Sequence, residues 1–184
     1  MSQPNVNTAD ILKNSLTLYS KEVIEKRIDE LALEISEKIS NDVPLFLNVM
    51  NGSVFFFVEL LKRIEKPLTI DYLHATRYNN TMTGAKEISW LHKPDLNNIK
   101  NKNIYIIDDV LDEGHTLKAI KDFLLESGAK SCNIIVLVDK ILNKEKPVEA
   151  DYIGFGAPNK YLFGYGMDIF GLYRQLPYIL TYNP

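Results

Sequence analysis

The stretch SKEVIEKRIDELALEISEKIS carries apolar side chains at 24, 28, 31, 35 and 39. Those steps of three and four predict an amphipathic helix over 20–40, with Ser20 as its N-cap. Elsewhere the apolar positions run together. PLFLNVM (44–50), NIYIIDD (103–109) and CNIIVLVDK (132–140) are short and almost wholly apolar, as in strands covered on both faces. LTIDYLHATRY (68–78) and EISWLHK (87–93) read as a strand and its return, with the polar, turn-rich NNTMTGAKE between them. SVFFFVELLKRIE (53–65) and HTLKAIKDFLLESG (115–128) read as helices, the second ending at Gly128. Two further apolar runs follow, DYIGFGA and YLFGYGMDI.

Strands and helices therefore alternate, which predicts an α/β fold around a mainly parallel sheet with right-handed crossovers. The pair 68–78 and 87–93 fits an antiparallel excursion at one edge. The N-terminal helix and the C-terminal segment have no slot in such a sheet, so they are expected to form a side lobe.

Composition narrows the class. A chain of 184 residues with no internal repeat fits one domain and can bury a proper core. A net charge of −3 and a pI near 5.7 argue against a nucleic-acid surface, which needs a basic face. The lone Cys132 leaves no internal disulfide and no thiolate metal cluster, which suits a reducing cytosol. Lying in an apolar run, it reads as a buried structural thiol. MSQPNVNTAD lacks a charged-then-apolar signal layout, and no apolar run approaches the ~20 residues of a membrane span. The expectation is a soluble cytoplasmic protein.

The chemistry concentrates in NIYIIDDVLDEGHTL (103–117). Asp108 and Asp109 are read as closing a strand at the carboxyl edge of the sheet, where ligands of α/β proteins gather. Asp112 and Glu113 follow, then Gly114-His115-Thr116 leads into a helix. Such a turn presents free amides and the positive end of a helix dipole, a site for phosphate. The plainer alternative makes Asp112 or Thr116 an ordinary helix cap. Clustered like charges repel, however, and gain a purpose if ribose hydroxyls or Mg²⁺ lie between them and a phosphate. A phosphorylated sugar fits. A Walker loop does not, because no GxxxxGK[ST] occurs.

A hydrophobic strand, two acids, two apolar residues, Asp, one residue, Gly, one residue and Thr resembles the signature of the type I phosphoribosyltransferases for phosphoribosyl pyrophosphate (PRPP). VMNGSVFFFVEL, VDK (138–140), IGFGAPNKYLFGYGMD and YRQLPYI are similar to the hypoxanthine-guanine branch, so the resemblance spans roughly residues 20–182. It implies one domain over 1–184, with a hood lobe from about 1–40 and 155–184 and a mobile lid at about 77–87. The implied reaction transfers 5-phosphoribosyl from PRPP to N9 of hypoxanthine or guanine, giving IMP or GMP and pyrophosphate.

The resemblance also assigns roles. Asp108 and Asp109 would hold the ribose hydroxyls, partly through Mg²⁺; the family more often has Glu at the first position. Asp112 would face N7 of the purine as the catalytic carboxylate. The 5′-phosphate cradle becomes Glu113, Gly114, His115 and Thr116, with Glu113 replacing the usual Thr or Ser. Met50-Asn51-Gly52-Ser53 would bind pyrophosphate through its backbone, often with unusual peptide geometry before the Gly; Asn51 stands where Lys or Arg is usual. Lys140 would donate to O6 of the base and reject a 6-amino group. Tyr161 would stack on the purine, the Leu162 backbone would face C2, Asp168 would hold a second magnesium, and Arg174 would reach the pyrophosphate. Tyr78 matches a lid residue, and Arg77 would restore the charge missing at Asn51. Taken alone, Lys140 reads as a solvated strand end, Tyr161 as a core aromatic, Asp168 as a turn residue and Arg174 as surface. His74, His92 and His115 are too dispersed for a zinc site, and Trp90 reads as a strand or interface aromatic.

Two rivals remain. One is a PRPP- or nucleotide-binding regulator on the same fold, against which the acidic pI counts. The other is a phospho-acceptor receiver domain, whose acid pair should close the first strand instead of lying mid-chain. The resemblance further implies a homodimer or homotetramer, with no nucleic-acid or membrane partner.

Overall fold

A computed structural model describes residues 8–39, 42–79 and 86–183. In chain order the elements are α1 (Thr8–Lys13), β1 (Ser15–Tyr19), α2 (Lys21–Lys38), β2 (Leu45–Val49), α3 (Val54–Leu61), β3 (Thr69–Asn79) and β4 (Lys86–His92). After a short 3₁₀ turn come β5 (Asn103–Leu111), α4 (His115–Glu126), β6 (Ser131–Ile141), β7 (Tyr152–Pro158), β8 (Tyr161–Phe163) and β9 (Ile179–Tyr182).

Six strands form the main sheet in the order β4-β3-β2-β5-β6-β7. All neighbours are parallel except the β3–β4 pair at one edge. The expected α/β class and the antiparallel excursion are both present. The period of two along each strand sorts the core into two faces. Phe46, Tyr105, Ile107, Ile135 and Leu137 meet α2 and α3. Leu45, Leu47, Ile104, Ile106, Ile134 and Val136 meet Leu117, Ile120 and Leu124 of α4. Because both faces are covered, these strands read as continuous apolar runs.

The stripe predicted for 20–40 is the buried face of α2, and the Ser20 hydroxyl accepts from the Val23 amide as its N-cap. Arg27 of α2 donates to the carbonyls of Gly154 and Ile153 on β7, so α2 belongs to the main sheet and not to a side lobe. The second sheet is instead the antiparallel set β1-β9-β8, packed around Ile11, Phe163, Ile169 and Leu180. Strands β1 and β9 were not foreseen. Each is five residues or fewer, too short for alternation to register.

Two boundaries also differ. Helix α3 stops at Leu61, where the amides of Arg63 and Ile64 turn back to the carbonyls of Leu60 and Leu61 in a tightened last turn. Strand β5 does not end at the acid pair. Its ladder to β6 continues through Val110↔Val138 and Leu111↔Asp139, so Asp108 and Asp109 lie within the strand.

Candidate active site

Past Leu111 the chain turns through Asp112 and Glu113, and Gly114 caps α4 with a φ of 81°. That left-handed conformation suits glycine, and a Cβ there would also meet Val148 at 3.3 Å. The first amides of an α-helix lack intrahelical partners, and residues 113–117 at the start of α4 line the cavity at the sheet's carboxyl edge. Its other wall is the turn after β2, where the Met50–Asn51 peptide is cis. Behind it the buried Ser53 hydroxyl meets the Asn48 side-chain oxygen and the Val49 carbonyl.

Glycines let these walls approach each other and the segment around Gly166. A Cβ on Gly52 would lie 1.8 Å from Asp109 Oδ2, and one on Gly166 would lie 1.8 Å from the Gly52 carbonyl oxygen. Gly166 is fixed in turn by Arg174, whose guanidinium donates to the Gly166 carbonyl at 2.7 Å and pairs with Asp168 at 2.6 Å. Asp168 also accepts from the Gly171 amide at 2.7 Å.

Two cavities result. The larger, about 490 Å³, is lined by residues 49–52, 74–76 and 108–117 together with Arg174. The smaller, about 220 Å³, is lined by Asp109, Val110, Asp112, Lys140, Tyr161, Leu162, Met167 and Asp168. They share Asp109, Val110 and Asp112, so the strand end is the wall between them.

The electrostatics follow from packing two carboxylates side by side. Burial and the charge of Asp109 hold the Asp108 carboxyl well above the usual range. Burial also raises Asp109, against the opposing pull of its hydrogen bonds with Asp108 and the Val110 amide and of the Arg174 charge. Among the described residues no group of three or more His, Cys, Asp or Glu is placed to hold a metal ion.

Three lysines from the end of β6 and the loop after it each hold one of three consecutive residues. Lys146 donates to the Leu111 carbonyl at 2.9 Å, Lys140 to the Asp112 carboxylate at 2.8 Å, and Lys144 to the Glu113 carboxylate at 2.6 Å. Lys146 is itself fixed by the Lys140 carbonyl and the Asp139 carboxylate. Neither Lys144 nor Lys146 stood out in the sequence, where KEK in a polar loop looks like solvated charge. Met167, in the lining of the smaller cavity, was equally silent.

The structure gathers Asn51, Gly52, Asp108, Asp109, Glu113, Gly114, His115, Thr116 and Arg174 around the larger cavity, and Lys140, Tyr161, Leu162 and Asp168 around the smaller. Arg77 and Tyr78 fall at the end of β3, where their side chains lie outside the described residues, as does most of the expected lid. The link between Arg77 and Asn51 therefore has no geometry to set beside it. Away from the site, Cys132 is buried and its thiol is pushed up to about 11 by burial. Trp90 packs on Phe123 with ring centroids 4.8 Å apart. His74, in the lining of the larger cavity, is the cross-strand partner of His92, which stacks on Tyr72.

Comparison with known proteins agrees with this geometry. The family described as phosphoribosyl transferase domain matches residues 15–169. A hypoxanthine-guanine phosphoribosyltransferase of Bacillus subtilis is 32% identical over 91% of this chain and 92% of its own. A bifunctional TilS/HprT protein of Listeria innocua is 32% identical over 98% of this chain; the match spans only 28% of that longer relative. Among solved structures, a hypoxanthine phosphoribosyltransferase of Staphylococcus aureus superposes with a TM-score of 0.88 at 30% identity, covering 98% of this chain and 97% of its own. With the signature loop, the double cavity and the whole-chain likeness in agreement, the chain belongs to the phosphoribosyl transferase family, in its hypoxanthine-guanine branch.

Proposed function

We propose that the protein transfers 5-phosphoribosyl from PRPP to N9 of hypoxanthine or guanine, releasing pyrophosphate. The observation that carries this reading is the pair of cavities meeting at Asp109, Val110 and Asp112. A sugar phosphate in the larger cavity and a flat base in the smaller would bring C1 of the ribose and N9 together at that wall.

In this reading the amides of Glu113 to Thr116 take the 5′-phosphate, and Asp108 and Asp109 take the ribose hydroxyls. Asn51, Gly52 and Arg174 receive the pyrophosphate. As the C1–O bond breaks, its electron pair leaves with pyrophosphate, and N9 supplies the pair for the new C–N bond. Asp112 accepts the hydrogen bond from N7–H and draws off that proton as N9 attacks. Lys140 turns from Asp112 to the base, where an ammonium can donate to O6 and mismatches a 6-amino group. Tyr161 is half exposed on the cavity rim and can cover the base, while the Leu162 backbone faces C2. Mg²⁺ would be held by Asp108 and Asp109, and a second Mg²⁺ by Asp168 once Arg174 moves to pyrophosphate; both would neutralise phosphate charge.

We also infer one working unit over 1–184, with a lid at about 77–87 that carries Arg77 and Tyr78 and excludes water from a reactive ribose. The hood is drawn from β1, β8, β9 and the 164–178 segment. A cytoplasmic homodimer or homotetramer is the matching setting; no helix among the described residues is long and apolar enough to cross a membrane. The test is a spectroscopic assay with PRPP, Mg²⁺ and each of hypoxanthine, guanine, xanthine and adenine. Nucleotide from the 6-oxopurines but not adenine is expected, and no nucleotide from any base would leave the regulator reading in its place.

A further inference from the structure

Glu113 poses a physical problem that the proposed reaction does not solve. Its amide belongs to the anion cradle at the start of α4, yet its side chain brings a carboxylate to the same turn. A carboxylate of the chain is itself an anion that can take the free amides of a helix start. It would also repel a phosphate dianion a few ångströms away.

Lys144 answers this problem. Glu113 lines the larger cavity and Lys144 does not, so their 2.6 Å ion pair runs from the cavity wall to a loop outside it. The loop is not free to drift. Lys146, two residues on, is fixed to the Leu111 and Lys140 carbonyls and to Asp139. The pair is only part-shielded, with side-chain exposures of 56% for Lys144 and 33% for Glu113, so its force is moderate and salt-sensitive.

We infer that Lys144 is a positioning residue for the 5′-phosphate site: it draws the Glu113 carboxylate out of the cradle and offsets its charge, leaving the amides of 113–116 to the ligand. Lys144 touches no ligand in this account, and the inference rests on the phosphate-cradle reading above. It assigns a purpose to a loop lysine with no motif of its own, and it explains how an acid is tolerated at a cradle position.

The experiment reads binding without turnover, so it stands apart from whether the chain catalyses the transfer. Ribose 5-phosphate is titrated calorimetrically into the whole protein and its variants, with thermal melts as a folding control. Lys144→Ala is expected to weaken binding roughly three- to tenfold. Lys144→Arg, which keeps the charge, should restore most of the affinity. On a Glu113→Ser background the same Lys144→Ala change should cost less than about twofold, because no carboxylate is left to hold. Raising ionic strength should shrink the loss. An equal loss on both backgrounds would mean that Lys144 serves the phosphate or the loop directly, and no loss on either would remove it from the site; each result overturns the inference. Failure of the wild type to bind ribose 5-phosphate would overturn the cradle reading itself.

Discussion

The two cavities are walled in different ways. Most of the larger one comes from a single run, residues 108–117, completed by the turn at 50–52 and a short piece of β3. Much of what it offers a ligand is backbone: amides at a helix start and glycines where walls touch. The smaller draws on the end of β5, the end of β6, β8 and the turn after it. What it offers is side chains, namely Lys140, Tyr161, Met167 and Asp168. In the proposed reaction backbone amides would take the phosphate and the Asp108 and Asp109 carboxylates the sugar, the parts of the ligand common to every base. Side chains drawn from distant segments would then choose among bases. Changes on the large side should therefore reduce all substrates alike, while changes on the small side should alter which base is used.

The shared wall should be most sensitive. Asp112→Asn is expected to lower kcat roughly 10²-fold or more for every base, because it removes the proposed proton acceptor; near-wild-type turnover would break the idea that the cavities meet at the chemistry. Next comes the small side. Lys140→Ala should reduce kcat/KM for hypoxanthine by about 10²-fold while leaving the KM for PRPP within about twofold, since it removes the proposed O6 donor and the ion-pair partner of Asp112, and Lys140 does not line the larger cavity. A matched loss in PRPP affinity would show that the two sides are not separable.

On the large side, Gly52→Ala places a Cβ 1.8 Å from the Asp109 carboxylate and must displace it. PRPP affinity is expected to fall on the order of tenfold, equally for all bases. A base-dependent loss would blur the contrast.

The smallest effect concerns stability. Asp108 and Asp109 have folded-state pKa values raised above their unfolded ones. Below about pH 4 both states are protonated and the pair costs nothing. As pH rises past that point the unfolded chain ionises freely and the folded chain resists, so this contribution turns destabilising up to the raised pKa values. Asp108→Asn should therefore raise the Tm of ligand-free protein near neutral pH by about 3 °C while lowering activity. The gain should fade as the melts are repeated towards pH 4. A gain that did not fade would point to packing instead of charge.

Local physics determined a great deal of this protein. Covered strands must be apolar throughout, and an amphipathic helix must step by three and four, so β2, β5, β6 and α2 could be read directly. The acid-rich turn was legible for the same reason, since strand, carboxylates, glycine and helix start are contiguous. Tertiary structure alone decided the rest. Alternation over five residues or fewer could not reveal β1 and β9, which gain stability only by pairing with each other and with β8 across the length of the chain. Nor could spacing show that Gly52 must be bare because Asp109 and Gly166 press on it, or that lysines 140, 144 and 146 each hold one of the consecutive residues 111–113. Contacts between residues tens of positions apart leave no period in the sequence, because the fold, and not the local chain, brings them together.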